Sequence, residues 1–240
     1  MKKVKNDLYD YGLYIYQDED NFKFSLDSIL LAEFVDHNKK DNLIVDFCTG
    51  NAPVPLIMSS KGYKNIYGIE LQKSIFDMAI DSVKENKLDD NIKLINDNIK
   101  NVNKYFEAES IDVITCNPPY FKYNANNSLI NDNIVKAIAR HELEMELEDI
   151  MKSARYLLKN KASLYIVHRC DRLEELIVSL NKYKFSVKKL QFIYSNINQD
   201  SIMVLIKAIK NGKVGSLKVK APIDISKLKS YKDMFNEVKE

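Results

Sequence analysis

Tryptophan is absent from this 240-residue chain, and cysteine and histidine are scarce at three residues each. Cys48, Cys116 and Cys170 are odd in number, far apart and set beside apolar runs, which argues against a disulfide framework and for reduced thiols in a cytosolic protein. No Cys-x-x-Cys pair occurs, and His37, His141 and His168 are equally scattered, so no metal site is expected. Long hydrophobic runs are missing too: apolar stretches stop far short of the roughly 18 residues that a membrane span requires. The beginning, Met-Lys-Lys-Val-Lys-Asn-Asp-Leu, has the basic start of a secretory signal without the apolar stretch that must follow, and a cytoplasmic location is expected. Nor is there an excess of one charge. Lys and Arg number 36 against 34 Asp and Glu, a net +2 that excludes a binder resting on bulk electrostatics.

What is present is ordinary for a folded protein: 45% hydrophobic and 10% aromatic residues, in a length that one core can fill. From residue 43, short β-branched runs alternate with helical patterns, the rhythm of an α/β protein with a mostly parallel sheet and helices on both faces. Strands are predicted near Leu43–Phe47, Asn65–Glu70, Lys93–Asn96, Ile111–Cys116, Ser163–His168, Phe185–Tyr194 and Ser201–Ala208, seven in all. The last two run on without a helix between them and predict a C-terminal hairpin adding an antiparallel edge. Helices are predicted near Pro53–Ser60, Leu71–Asn86, Leu147–Leu158 and Asp171–Asn181, the last opened by a capping box of Asp171 and Glu174. Asn-rich residues 121–135 read as a loop. Residues 1–40 form an aromatic lead-in or lid ending in a short amphipathic helix from Asp27, and residues 41–240 the main domain. Its closing stretch from Lys207 holds nine lysines against four acidic residues, so the even overall balance hides a basic end.

In open parallel sheets, ligands bind beyond the carboxyl ends of the strands where strand order reverses. The first predicted strand there leads into Asp46-Phe-Cys48-Thr49-Gly50-Asn51-Ala52, a turn of small residues where backbone can approach a ligand. The second ends in Glu70, placed to accept both ribose hydroxyls of an adenosine-type cofactor, and Asp97 and Asn98 after the third can meet an adenine amine. The sharpest signal follows the fourth strand: Asn117-Pro118-Pro119-Tyr120. Two prolines fix a rigid extended exit, so the Asn117 side chain and the Pro118 carbonyl become adjacent acceptors, with an aromatic ring beside them to stack on a planar group. Such a set binds both hydrogens of a planar NH2 and turns its lone pair toward an electrophile.

On these residues the chain resembles the S-adenosylmethionine-dependent, Rossmann-like class I methyltransferases and, within them, the amino-methyltransferases marked by Asn-Pro-Pro-Tyr. It is most similar to the bacterial tRNA(Val) adenine-N6-methyltransferase family, which modifies the adenine 3′ of the anticodon. The resemblance runs through Phe24-Ser25-Leu-Asp27-Ser-Ile-Leu-Leu-Ala32, the Asp46 turn, Asn117–Tyr120, Ala139-Arg140-His141-Glu142, His168-Arg169-Cys-Asp-Arg172 and the Lys-rich end. It implies a cofactor site of Phe24, Ser25, Asp27, Asp46, Cys48, Thr49, Gly50, Asn51, Glu70, Leu71, Asp97, Asn98 and Asn117, and a catalytic group of Asn117, Pro118, Pro119 and Tyr120. It also implies tRNA as partner, met by Phe121, Lys122, Tyr123, Arg140, Arg169 and Arg172 together with the basic end, by a monomer or weak dimer without a membrane.

The family turn usually reads Asp-x-Gly-x-Gly-x-Gly, whereas here Cys48 and Ala52 replace two glycines. Cys48 is therefore expected to take a less extreme backbone angle, and the cofactor to be held less tightly. Neighbouring first and fourth strands place Cys48 close to Cys116 beside the cofactor, which makes sensitivity to oxidation a hypothesis. A glutamine amide of a release factor and a guanine amine of ribosomal RNA present the same planar NH2, and a non-catalytic RNA-binding module keeps the fold without the cofactor; these readings stay open.

Overall fold

The computed structural model describes residues 3–18, 26–36, 38, 43–119 and 146–228. Its centre is a sheet in which seven strands coincide with the predicted runs: β3 (Ile44–Phe47), β4 (Ile66–Glu70), β5 (Ile92–Asn96), β6 (Ile111–Cys116), β7 (Leu158–Arg169), β8 (Phe185–Tyr194) and β9 (Met203–Lys210). Across the sheet they lie in the order β8-β9-β7-β6-β3-β4-β5. Only β9 runs against its neighbours, and it inserts between β7 and β8, so the predicted hairpin forms but its last strand is internal. Two short strands, β10 (Lys218–Val219) and β11 (Ile223–Asp224), continue the sheet parallel to β8.

Strand alternation gives the sheet two apolar faces. On one, Ile44, Ile66, Ile92, Val113, Val167 and Leu205 join residues of α1 (Leu26–Phe34), α2 (Pro53–Ser60) and α3 (Lys73–Glu85). On the other, Val45, Phe47, Ile114, Cys116, Ile166 and Ile206 pack with α4 (Leu147–Leu157) and α5 (Leu173–Lys182). No helix among the described residues is long and apolar enough to cross a membrane.

Several details depart from the sequence reading. Before α1 stands a hairpin of β1 (Lys3–Leu8) and β2 (Leu13–Asp18), turned at Gly12 with φ 63°. It docks on α3: the Tyr16 N–H donates to Ser82 Oγ (2.9 Å), Tyr14 exchanges backbone bonds with the Asn86 amide, and Lys5 pairs with Glu85 (2.6 Å). Helix α1 is buried nearly all round rather than amphipathic, because α2, β7 and β9 surround it. Beyond its end, Asp36 is clasped by Lys189 (2.5 Å) and Lys207 (2.7 Å). Strand β7 starts five residues before the predicted Ser163; Lys161 takes a left-handed φ of 67° inside an irregular register that lets the strand begin directly from α4. Asp171 caps nothing. Its carboxylate is taken by Arg169, and α5 begins only at Leu173 after a 3-10 turn over Cys170–Arg172. It is α4 that carries a box-like start, with the Glu146 N–H donating to Asp149 Oδ2 at 3.0 Å. The predicted loop 121–135 lies outside the described residues.

Candidate active site

Strand order reverses between β3, which leads on to β4 and β5, and β6, which leads on to β7. The two strands are parallel partners, with Phe47 opposite Cys116, so the turn after β3 and Asn117 after β6 emerge side by side at one edge. This is where a doubly wound sheet leaves a crevice.

The turn is built from its own polar groups. Asp46 is almost wholly buried, and its carboxylate accepts from Thr49 Oγ1 at 2.7 Å and from Thr115 Oγ1 on β6 at 2.6 Å. Burial raises its pKa to about 7, with the nearby Glu70 adding to the rise against the two hydroxyls. Glu70 closes β4 and is buried as well; its two oxygens accept from the Gly50 N–H (3.0 Å) and the Gln72 N–H (2.8 Å). Burial likewise pushes its pKa up. Asp46 therefore braces the turn from inside, while Glu70 ties it to the next strand and keeps lone pairs for further donors. Behind the turn, a β-carbon on Gly68 would stand 2.8 Å from Thr49 Oγ1, so only glycine lets β4 pass this close.

The two residues that stand where the family motif has glycine take a backbone that glycine favours. Cys48, Gly50 and Ala52 have φ of 56°, 59° and 72°, all left-handed. The expectation of a less extreme angle at Cys48 is thus corrected: hydrogen bonds around the turn, among them Thr49 N–H to Ile69 O and Ala52 N–H to Thr49 O at 3.0 Å each, hold the conformation that a side chain disfavours by about 1–3 kcal/mol. Cys48 and Cys116 do lie together, hydrogen-bonded thiol to thiol. That bond, followed by burial and the two carboxylates, lifts the Cys48 pKa well above its ordinary value. The Cys48 thiol is therefore held protonated, which opposes the oxidation sensitivity suggested above.

Asn51 is fully buried; its Nδ2 donates to the Tyr16 carbonyl of β2 at 2.7 Å, and its Oδ1 has no partner among the described residues. Asn117 is half-buried and donates from Nδ2 to Ser28 Oγ of α1 at 2.9 Å, which brings Ser28 to the crevice, while Asp27 is half-buried in the first turn of the same helix. Pro118 is buried and Pro119 exposed, while Tyr120, Phe121, Lys122, Tyr123, Arg140, Phe24 and Ser25 lie outside the described residues. After β5, Asp97 is occupied locally. It accepts from Asn101, Tyr105 and its neighbour's N–H at 2.7 Å each, bonds that hold its pKa down at about 2. Asn98 caps the following 3-10 turn through the Lys100 N–H, so both side chains have less spare capacity for an adenine amine than the sequence reading assumed. Asn96, which that reading passed over, donates to the carbonyls of Glu70 (2.8 Å) and Leu71 (3.0 Å) and fixes the rim between β4 and β5. Ser28 and Thr115 were missed too. Nothing local in a helix or strand marks such a hydroxyl, whose partner is 89 residues away for Ser28 and 69 for Thr115.

These donors and acceptors fit an adenosine-containing ligand: a strand-terminal carboxylate able to take hydroxyls, an unpartnered buried acceptor at Asn51, and two buried carboxyls without a cation partner among the described residues. Comparison with known families agrees. The methyltransferase small domain matches residues 23–189. The chain belongs to that family. This methyltransferase is 23% identical over 182 residues to the tRNA1(Val) (adenine(37)-N6)-methyltransferase of Cytophaga hutchinsonii, covering 76% of this chain and 74% of that one. It is 25% identical over 186 residues to the protein of the same name from Photobacterium profundum, covering 76% and 75%. A predicted O-methyltransferase from Agrobacterium tumefaciens shares its fold with a TM-score of 0.66 at 16% identity, over 88% of this chain and 97% of that one. So does a geranyl diphosphate C-methyltransferase from Streptomyces coelicolor solved with S-adenosyl-L-homocysteine, at TM-score 0.56 and 12% identity over 76% and 78%.

The basic groups of the methyltransferase are more dispersed than the sequence suggested. Arg169 closes β7 and Arg172 follows it, on the same rim as Asn117, but they pair with Asp171 (2.7 Å) and Glu175 (2.8 Å). Because β9 runs antiparallel, Lys210 lies at the opposite end of the sheet, nearly buried, donating to Glu109 (2.8 Å) and to the Leu158 carbonyl (2.6 Å). Strands β10 and β11 then carry the chain back along β8 toward the rim, where Lys227 pairs with Asp224 at 3.4 Å. The described lysines of this stretch, Lys207 to Lys227, therefore do not form one patch, while Lys229, Lys232 and Lys239 lie outside the described residues.

Proposed function

We propose that this chain is an S-adenosylmethionine-dependent tRNA methyltransferase acting on the N6 amine of an adenine in the anticodon loop. The observation that carries the chemistry is Asn117-Pro118 at the carboxyl end of β6, directly beside the left-handed turn of β3 at the strand-order reversal. The choice of tRNA rests on the names of the relatives in Cytophaga hutchinsonii and Photobacterium profundum.

S-adenosylmethionine, when bound, supplies an electrophilic methyl on a positively charged sulfur. The chain's part is binding and orientation. Glu70 takes ribose hydroxyls, and the buried Asp46 and Glu70 give the crevice a negative potential that suits a cation. Asn117 is neutral, so it is no strong base; it accepts a hydrogen bond from the substrate amine, and the Pro118 carbonyl accepts the second. Held this way, the nitrogen's lone pair leaves conjugation with the ring and points at the electrophile, a preference that grows toward the pyramidal transition state. Tyr120 and Phe121 provide the stacking walls for the base, and the surplus proton passes to solvent. A loop adenine suits this site because it is already unpaired, which spares the few kcal/mol of extracting a base from a duplex. Lys122, Tyr123 and Arg140 meet phosphates, whereas Arg169 and Arg172 do so by sharing or exchanging their carboxylate partners.

Incubation with bulk unmodified tRNA and methyl-labelled cofactor, followed by nucleoside analysis, tests the reading. Label in N6-methyladenosine supports it; label in a methylated guanosine or in protein glutamine, or no transfer at all, refutes it.

A further inference from the structure

We infer that Tyr105 determines cofactor specificity: its hydroxyl oxygen accepts the exocyclic amine of the cofactor's adenine, the role that residue order alone gives to Asp97. This deepens the proposed function and rests on it. Asp97 has no acceptor left over for a ligand. A carboxylate offers about four lone-pair sites. Four donors surround this one: Oδ1 accepts from the Asn98 N–H and from Asn101 Nδ2 at 2.7 Å each, while Oδ2 accepts from Tyr105 Oη at 2.7 Å and faces the Lys104 ammonium at 3.5 Å. The direction of the tyrosine contact is fixed by its partner. The bonds from Asn101 and Tyr105 hold the Asp97 pKa at about 2, so the carboxylate carries no proton at neutral pH, and the same bond raises the Tyr105 pKa above its ordinary value. The phenol is therefore the donor. Its single hydrogen is committed to Asp97, and its oxygen presents only lone pairs to anything else.

The placement of Tyr105 supports this role. Glu70 and Asn96 are partners in register at the ends of β4 and β5, and Asn96 ties the two strand exits together through the Glu70 and Leu71 carbonyls. A nucleoside whose ribose is held at Glu70 extends its base across this rim, beyond the end of β5, where Asp97 stands with the Tyr105 hydroxyl on it. Tyr105 is 45% exposed and can be reached by a ligand. It is also well supported. It closes the 3-10 turn over Ile99–Lys104, in which Ile99 and Val102 are buried, the Ile99 carbonyl accepts from Ser153 Oγ of α4 at 2.9 Å, and Lys100 pairs with Asp149 of the same helix at 3.0 Å. An acceptor held in this way suits the amine at position 6 of adenine. A 6-oxo purine puts a carbonyl there instead, so that lone pairs face lone pairs.

Calorimetric binding of S-adenosylhomocysteine and of its 6-oxo analogue, S-inosylhomocysteine, to wild type, Tyr105→Phe and Asn101→Ala tests the inference. The wild type is expected to bind the amine form at least about tenfold more tightly. Tyr105→Phe keeps the ring and removes only the oxygen: affinity for S-adenosylhomocysteine falls about tenfold, that for S-inosylhomocysteine stays within about twofold, and the preference collapses. Asn101→Ala also takes a donor from Asp97 but leaves the Tyr105 oxygen in place, so both affinities and their ratio hold. Equal binding of the two ligands by the wild type, a preference unchanged in Tyr105→Phe, or the same collapse in Asn101→Ala overturns the inference, while binding of S-adenosylhomocysteine by the wild type leaves the methyltransferase reading intact. A wild type that binds neither ligand refutes both.

Discussion

The two ends of the central sheet solve the same problem differently. At the amino end, charges meet charges: Lys159 pairs with Asp112 at 2.7 Å, and Lys210 with Glu109 at 2.8 Å while also capping the Leu158 carbonyl. At the carboxyl end, Asp46 and Glu70 are buried with hydroxyls and backbone N–H groups as partners and no cation among the described residues. Neutral partners at the carboxyl end hold the carboxyls in place without cancelling them, which leaves their acceptor capacity and negative potential to a ligand. The backbone differs in the same sense, because three of five successive residues after β3 are left-handed at 56°, 59° and 72°.

This contrast can be broken by substitution. Asn117→Ala is expected to have the largest effect, lowering kcat by about 10²–10³-fold while leaving cofactor affinity and melting temperature near wild type, since it removes an acceptor used chiefly in the transition state. Single-turnover transfer and calorimetry with S-adenosylhomocysteine check it. Lys210→Met should do the reverse: it leaves a buried carbonyl without its donor, costs about 1–3 kcal/mol in urea unfolding and leaves turnover unchanged. Gly68→Ala falls between. Its new methyl collides with Thr49 and Leu94, so stability drops by about 1–3 kcal/mol and cofactor affinity drops with it. An unchanged affinity there would detach the Thr49 turn from binding.

Acidity gives a subtler difference. The folded-state pKa of Asp46, about 7, lies above its ordinary 3.8. Its contribution to stability is therefore full below about pH 4 and is lost as pH rises through 7, where the unfolded state has already given up the proton and the folded state must bury the charge. Melting temperatures of wild type and Asp46→Asn from pH 4 to 8 should converge toward low pH and separate toward high pH, with the asparagine variant the more stable above 7. The smallest effect is expected from Cys48→Gly. Relief of the left-handed strain and the added freedom of the unfolded chain oppose each other, so stability changes by less than about 1 kcal/mol.

Much of this was readable from residue order. All seven main strands follow β-branched runs, and helix α2 covers Pro53–Ser60 as predicted, because proline at its start and apolar spacing act locally. Asn117-Pro118 could be placed at a strand exit for the same reason. The hairpin of β1 and β2 was overlooked although Leu13 and Ile15 alternate with Tyr14 and Tyr16 after Gly12; the tyrosines read as a cluster, and the docking on α3 depends on Ser82 and Asn86, far along the chain. Asp171 had the composition of a cap, but Arg169, two residues before it, takes its carboxylate. The basic closing stretch looked continuous because the sequence does not show that β9 runs away from the rim and β11 returns to it.

The central claim is that Asn117 at the carboxyl edge orients a planar amine for methyl transfer. Its most direct test is single-turnover transfer from labelled S-adenosylmethionine to unmodified tRNA by wild type and Asn117→Ala, with nucleosides identified afterwards. The account predicts N6-methyladenosine from the wild type and a rate lower by about two to three orders of magnitude in the variant at unchanged cofactor affinity. Transfer by Asn117→Ala at the wild-type rate, or a product other than N6-methyladenosine, would contradict it.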